Sequence, residues 1–274
     1  MYATLMVHLE LGRSNTAVLE VAAKLVDQLH AAVVGIAGSR TIAVNYTDSY
    51  ISPEYLAQIR DETLRESAET EAAFRAALRG SSGSLEWRST LLCPSLSSYI
   101  AKEARCADLV LTAAASSNVL DGARLADTGE LILLIGRPVL CIPAIANTTN
   151  LDNVVVAWKE TREARRAVFD ALPLLKLAKY VTVVELAEES ELSDAHSRVD
   201  DVGSWLNRHS VSAECKALRS IGDEASQLDA IALKQGAGVI VAGAYGHSRV
   251  REFVFGGVTR DLLRSAEYCS FLSH

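Results

Sequence analysis

The chain has 274 residues, 49% of them hydrophobic, which is enough for one large domain or two average-sized domains with a substantial core. Its formal net charge of -7 argues against an extended nucleic-acid groove, which needs clustered Lys and Arg, but permits a local anion site built from backbone amides. The sequence has no apolar run of the ~18 residues that suggest a membrane span, and its first residues lack a signal-peptide pattern.

The first half of the chain alternates predicted strands and helices. Residues 4–38 are typical of a strand, an amphipathic helix and a second strand. Acidic residues and Arg then interleave at helical spacing over 54–71, which favours a solvated helix face with i,i+4 ion pairs, a docking surface being the alternative. Residues 107–144 predict a strand, a small-residue loop, an amphipathic helix and a short final strand.

The second half repeats this alternation. Its apolar strands are nearly continuous, which predicts a parallel sheet with helices on both faces. The predicted strands are 153–158, 180–186, 212–218, 238–242 and 268–272, and the predicted helices are 161–178, 194–209, 223–236 and 257–265.

The two halves align with each other. Residues 107–144 match 237–274 without a gap at an offset of 130, and residues 4–38 resemble 153–187 at an offset near 149. The sequence therefore predicts an α/β protein made of two tandem, doubly wound, five-stranded parallel-sheet domains. We place these domains at 1–145 and 152–274, joined by a polar linker.

The short final strands suit sheet edges, and edge strands invite pairing with one another. We expect 139–143 to pair near 268–272, so that the halves form a pseudo-dimer within one chain.

Glycines mark the most unusual segment, which follows the strand 238–242. Gly243 and Gly246 bracket a turn where positive φ or a close backbone approach costs little, and Gly256 and Gly257 open the next predicted helix. The first amides of that helix have no internal partner, so they could bind a phosphate. Tight turns and helix–sheet packing are the alternative reason for the glycines.

Side chains near these glycines could reach the same anion. Thr259 offers a hydroxyl from the helix, and the loop carries three further polar residues, His247, Ser248 and Arg249.

The spacing Gly-x2-Gly-x9-Gly, between an apolar strand and an amphipathic helix, resembles the nucleotide motif of the universal stress protein family. The resemblance covers the whole chain as two tandem domains. It implies an adenine nucleotide alpha-hydrolase-like fold that often binds ATP, with Gly243, Gly246 and Gly256 as the motif glycines. Gly257 stands where the family has Ser or Thr, so only its backbone amide remains for a ligand.

The family's ATP binders also carry an Asp at the end of the first strand, near the adenine, and Trp158 holds that place here. Trp158 could stack on a base or fill the adenine pocket.

The first half departs further from the motif. Ala113, Ser116 and Ala126 align with the three motif glycines, and Leu9 ends the first strand. We expect this half to have lost nucleotide binding and to act as a structural or regulatory partner.

The sequence gives little support for other candidate sites. None of the six histidines has metal-ligand spacing, so we expect no metal beyond the Mg²⁺ that accompanies a nucleotide. The five cysteines suggest reduced thiols in a cytoplasmic protein. Cys93 could be exposed at a strand end, although a buried, inert thiol is the commoner case. Ser95 or Ser97 is expected to cap a helix, and Asp223 to open one.

The sequence therefore predicts a stress-response protein that acts by binding and not by catalysis. The ligand would be ATP or another phosphate-bearing small molecule in the second half. Protein partners are expected, nucleic acid and membrane are not, and association into a homodimer stays open. The rival is a ligand-free interaction protein with both nucleotide sites degenerate. Slow ATP hydrolysis ranks last, because the sequence offers no evident catalytic base.

Overall fold

The computed structural model describes residues 1–40, 53–81, 83–114, 125–144, 150–246, 258–264 and 267–274. These residues form ten strands and eight α-helices. The strands are β1 (Thr4–His8), β2 (Ala32–Arg40), β3 (Leu85–Cys93), β4 (Leu109–Ala113), β5 (Val139–Ile142), β6 (Asn153–Trp158), β7 (Tyr180–Ala187), β8 (Glu214–Arg219), β9 (Val239–Gly243) and β10 (Cys269–Ser273). The helices are α1 (Thr16–Leu29), α2 (Pro53–Ala77), α3 (Leu96–Glu103), α4 (Thr128–Ile135), α5 (Arg162–Leu175), α6 (Leu192–Arg208), α7 (Glu224–Gln235) and α8 (Val258–Arg264).

All ten strands lie in one sheet of order β3-β2-β1-β4-β5-β10-β9-β6-β7-β8. Neighbouring strands are parallel except at the centre, where β5 and β10 are antiparallel, with Leu140 opposite Phe271. Each half therefore has the same doubly wound order, and the predicted fold class is confirmed. The predicted pairing of 139–143 near 268–272 is also confirmed, and we call this β5–β10 junction the seam.

Helices cover both faces of the sheet because strand side chains alternate between them. On one face α1, α2, α5 and α6 pack over residues such as Val7 and Val156. On the other face α3, α4, α7 and α8 pack over residues such as Met6 and Val155. The sheet is thus buried on both sides, as the apolar strands predicted.

Side-chain caps fix where several helices begin. Ser95 accepts a hydrogen bond from the Ser98 amide, and Asp223 accepts one from the Ser226 amide, as predicted. Ser97 has a different role, because its hydroxyl donates to the Asp127 carbonyl at 3.0 Å. This bond joins the start of α3 to the start of α4.

The charged stretch of the first half is helical, as predicted, and lies in α2. Arg75 pairs with Glu71 at 2.8 Å on its exposed surface, which is an i,i+4 pair of the expected kind.

Candidate functional site

The candidate site lies in the second half, at the carboxyl ends of the neighbouring strands β6 and β9. Ala157 pairs with Ala242, so Trp158 and Gly243 are the next residues of the two neighbouring strands at this edge of the sheet. Helix α5 begins just after β6, with Thr161 as its cap. The crevice is therefore bounded by the end of β9, the start of α5 and the start of α8.

Gly243 is required by packing against α5. A Cβ atom at this position would lie 2.5 Å from the Ala164 amide nitrogen and 2.6 Å from the Glu163 carbonyl carbon. Its φ is not in the left-handed region, and neither is that of Gly246, whereas Tyr245 between them has a φ of 58°. The close approach predicted for Gly243 is present, but the positive φ predicted as its alternative falls on Tyr245.

Gly246 lies over the N-terminus of α5. A Cβ atom there would lie 3.1 Å from Glu163 Oε2 and 3.5 Å from Thr161 Oγ1. The polar groups that face this glycine are therefore a carboxylate and a hydroxyl.

Glu163 is a residue of this site that the sequence analysis missed. Its side chain is buried at the second position of α5 and pairs with Arg162 Nε at 2.5 Å. Burial by itself would raise the pKa of Glu163, but the hydrogen bonds from Arg162 and from its own amide, with the nearby charges of Arg162 and His274, outweigh burial and lower it. A carboxylate is thus held ionised where the free amides and dipole of α5 favour an anion.

Thr259 and Tyr245 contact each other beside the end of β9. Thr259 is buried in α8, and its Oγ1 accepts a hydrogen bond from the Tyr245 amide at 3.4 Å. The Tyr245 ring meets the His274 ring edge-on, and its hydroxyl lies 2.5 Å from where a Cβ of Gly129 would be. Tyr245 therefore contacts α4 of the first half.

Trp158 lies between α5 and α6 and is 9% exposed. Its indole lines a cavity of about 360 Å³ together with Val168, Phe169 and Trp205. Within the described part of the chain its Nε1 has no hydrogen-bond partner, although it is buried. The side chain fills space beside the strand end.

Four of the predicted ligand contacts, His247, Ser248, Gly256 and Gly257, lie outside the described residues, as does Arg249. In the first half, Ser116 also lies outside them. Ala113 ends β4, Ala126 precedes α4, and Leu9 is fully buried in the core. The position before Leu9 holds a buried histidine, His8, which bonds to Thr112 through Nδ1 at 2.8 Å.

Of the two alternatives for Cys93, the buried thiol is the one found. Cys93 is buried and contacts the Ser39 carbonyl at 3.4 Å, and burial raises the pKa of its thiol. Among the described residues no group of three His, Cys, Asp or Glu could hold a metal ion. No described helix is long and apolar enough to cross a membrane.

The sequence matches no protein-family model, and a search of curated proteins finds no relative. Solved structures do match. A universal stress protein from Archaeoglobus fulgidus DSM 4304 aligns over 98% of this chain and 95% of its own, with 14% identity and a TM-score of 0.73. A putative universal stress protein from Pseudomonas aeruginosa UCBPP-PA14 covers 99% of this chain and 93% of its own, with 16% identity and a TM-score of 0.64.

A functionally unknown protein, PA1789 from Pseudomonas aeruginosa PAO1, matches almost as well. It covers 99% of this chain and 92% of its own at 16% identity, with a TM-score of 0.62. These alignments span both halves. The chain therefore has the fold of the universal stress proteins, repeated in tandem.

Proposed function

We propose that this chain is a tandem member of the universal stress protein family that acts through binding to other proteins, with the nucleotide site of each half degenerate. The observation that carries this proposal is the buried carboxylate of Glu163 beside Gly246. A phosphate bound against the first turn of the glycine segment would meet this negative charge. Like charges within a few ångströms in a half-buried site repel by on the order of a few kcal/mol.

Two other residues support the same conclusion. The Trp158 indole occupies the strand end where the family's ATP binders have Asp, and the Thr259 hydroxyl is engaged by the Tyr245 amide. The residues described at this site therefore fit an adenine nucleotide poorly.

The second candidate is binding of ATP or a related phosphate ligand in the second half. It is favoured by the glycine spacing and by Thr161, whose hydroxyl lies near Gly246. The backbone amides of the glycine segment would hold the phosphates, and Mg²⁺ would accompany them. Neither candidate includes a catalytic role.

Thermal unfolding with millimolar Mg²⁺-ATP, ADP or AMP separates the two candidates. We expect the wild-type melting temperature to be unchanged. A ligand present at 100 times its Kd would add about 2.7 kcal/mol of stability, which is readily detected. A clear shift, or a nucleotide mass carried by freshly purified protein in native mass spectrometry, would establish the second candidate and overturn the first.

Glu163→Gln is the matched variant, because it removes the charge and keeps the shape. If the carboxylate is what excludes phosphate, ATP should stabilise Glu163→Gln and leave the wild type unaffected. Glu160→Gln, an exposed change two residues before the helix, serves as the control and should not respond.

A further inference from the structure

A groove crosses the seam on the face of the sheet that carries α1 and α5. It has a volume of about 560 Å³, within the range of small-molecule sites. The first half contributes the end of α1, the start of the chain and the turn before β5, and the second half contributes α5. The groove therefore requires both halves, and Gly246 and Glu163 do not line it.

Apolar side chains of α5 form one wall. They include Leu172 and Pro173, Leu177 follows just beyond the end of the helix, and α1 contributes Leu29. Phe169 stands at the rim and is 62% exposed, which is unusual for so large an apolar side chain. This wall exposes apolar surface to water, so covering it with the apolar part of a ligand would be favourable.

The acidic side chains of the groove already have donors. Asp108 accepts hydrogen bonds from the Ala3 and Thr4 amides at 2.7 and 3.0 Å. Asp170 accepts one from Ser273 Oγ at 2.6 Å and lies 3.7 Å from Arg166 Nε. Their negative charge is therefore partly compensated within the protein.

Two basic side chains of the groove have no acidic partner among the described residues. Arg137 of the first half donates to the Arg105 carbonyl at 3.1 Å, which leaves its charge uncompensated. Lys176 of the second half donates its backbone amide to the Leu172 carbonyl, but its side-chain ammonium makes neither a hydrogen bond nor an ion pair with any residue that the structure describes. An anion can pair with both, and the fork of an arginine suits a carboxylate.

We propose that the seam groove binds an organic anion with an apolar body, of the class of medium-chain carboxylates. The carboxylate pairs with Arg137 and Lys176, and the chain packs along Phe169, Leu172 and Leu177. This site is independent of the glycine segment, so the proposal does not depend on which candidate function is right.

Isothermal titration with decanoate tests the proposal, with decanol as the uncharged probe of equal length and decyl phosphate as a second anion. We expect decanoate to bind wild-type protein and the double variant Arg137→Gln/Lys176→Gln to bind it at least about tenfold more weakly. The weak binding of decanol should be unaffected by the double variant. Arg165→Gln is the matched control, because Arg165 lies on α5 but lines the cavity between α5 and α6 and not the groove.

A second variant tests the position of the site by steric blocking. Gln28 is exposed on α1 and lines the groove, so Gln28→Trp should fill it without disturbing the core. Decanoate binding should be lost while the melting temperature is kept. The proposal is overturned if wild-type protein fails to bind decanoate, if the Arg137→Gln/Lys176→Gln or the Gln28→Trp protein binds it as tightly as wild type, or if decyl phosphate binds and decanoate does not.

Discussion

Between pH 7 and pH 4 the free energy of unfolding is expected to fall by about 3 kcal/mol less in a His8→Gln variant than in the wild-type protein. His8 is 1% exposed at the end of β1, and desolvation lowers its pKa from 6.5 to about 4. Between these two values the unfolded chain binds a proton that the folded protein excludes. Stability therefore falls as the pH drops through this window, and it is unaffected by His8 at neutral pH, where both states are uncharged.

Urea unfolding of wild type and His8→Gln at several pH values between 4 and 8 measures this difference. Glutamine can keep a hydrogen bond to Thr112, so both proteins should unfold cooperatively at pH 7. All other groups titrate in both proteins, and the difference between their pH curves isolates His8. Parallel curves down to pH 4 would mean that the folded protein accommodates a charged His8.

Gly243→Ala is expected to destabilise the protein by about 1–3 kcal/mol, because the new methyl group would overlap the backbone of α5. The helix must shift away from β9, since a backbone nitrogen 2.5 Å away cannot rotate aside. Chemical unfolding of the variant gives the loss directly.

Gly246→Ala is the control for this prediction. Its nearest atom is the end of the flexible Glu163 side chain at 3.1 Å, and its φ is one that alanine accepts. We expect its stability to change by less than about 1 kcal/mol. If the two variants were equally stable, Gly243 would not be a packing residue and its role would return to ligand binding.

Much of the fold could be predicted from the sequence, because the apolar runs of the strands and the periodic patterns of the helices alternate clearly along the chain. The strand predicted at 153–158 has the bounds of β6, and the strands predicted at 180–186 and 238–242 are each within one residue of β7 and β9. The seam was predictable because two short apolar strands closed the two halves at equivalent positions. The fold of the first half was predictable from the second, because the two halves align with each other.

The candidate site was harder to predict because it depends on distances between segments far apart in the chain. Glu163 looks in sequence like an ordinary acidic residue in a first helical turn. Only the packing of α5 against β9 places its carboxylate beside Gly246, eighty-three residues later. The same packing explains Gly243 without a ligand, an alternative that spacing could not decide. The seam groove was not predictable at all, because its lining comes from segments of both halves that only the fold brings together.

The antiparallel seam also has a consequence for how such a protein evolves. In a symmetric pair of identical subunits, every substitution appears twice, so a change that one copy tolerates must suit the other as well. Here the pair is encoded as one polypeptide. Ala113 and Ala126 could replace glycines on one side while Gly243 and Gly256 stayed on the other, and asymmetry of this kind lets one partner specialise while its twin keeps the shared sheet intact.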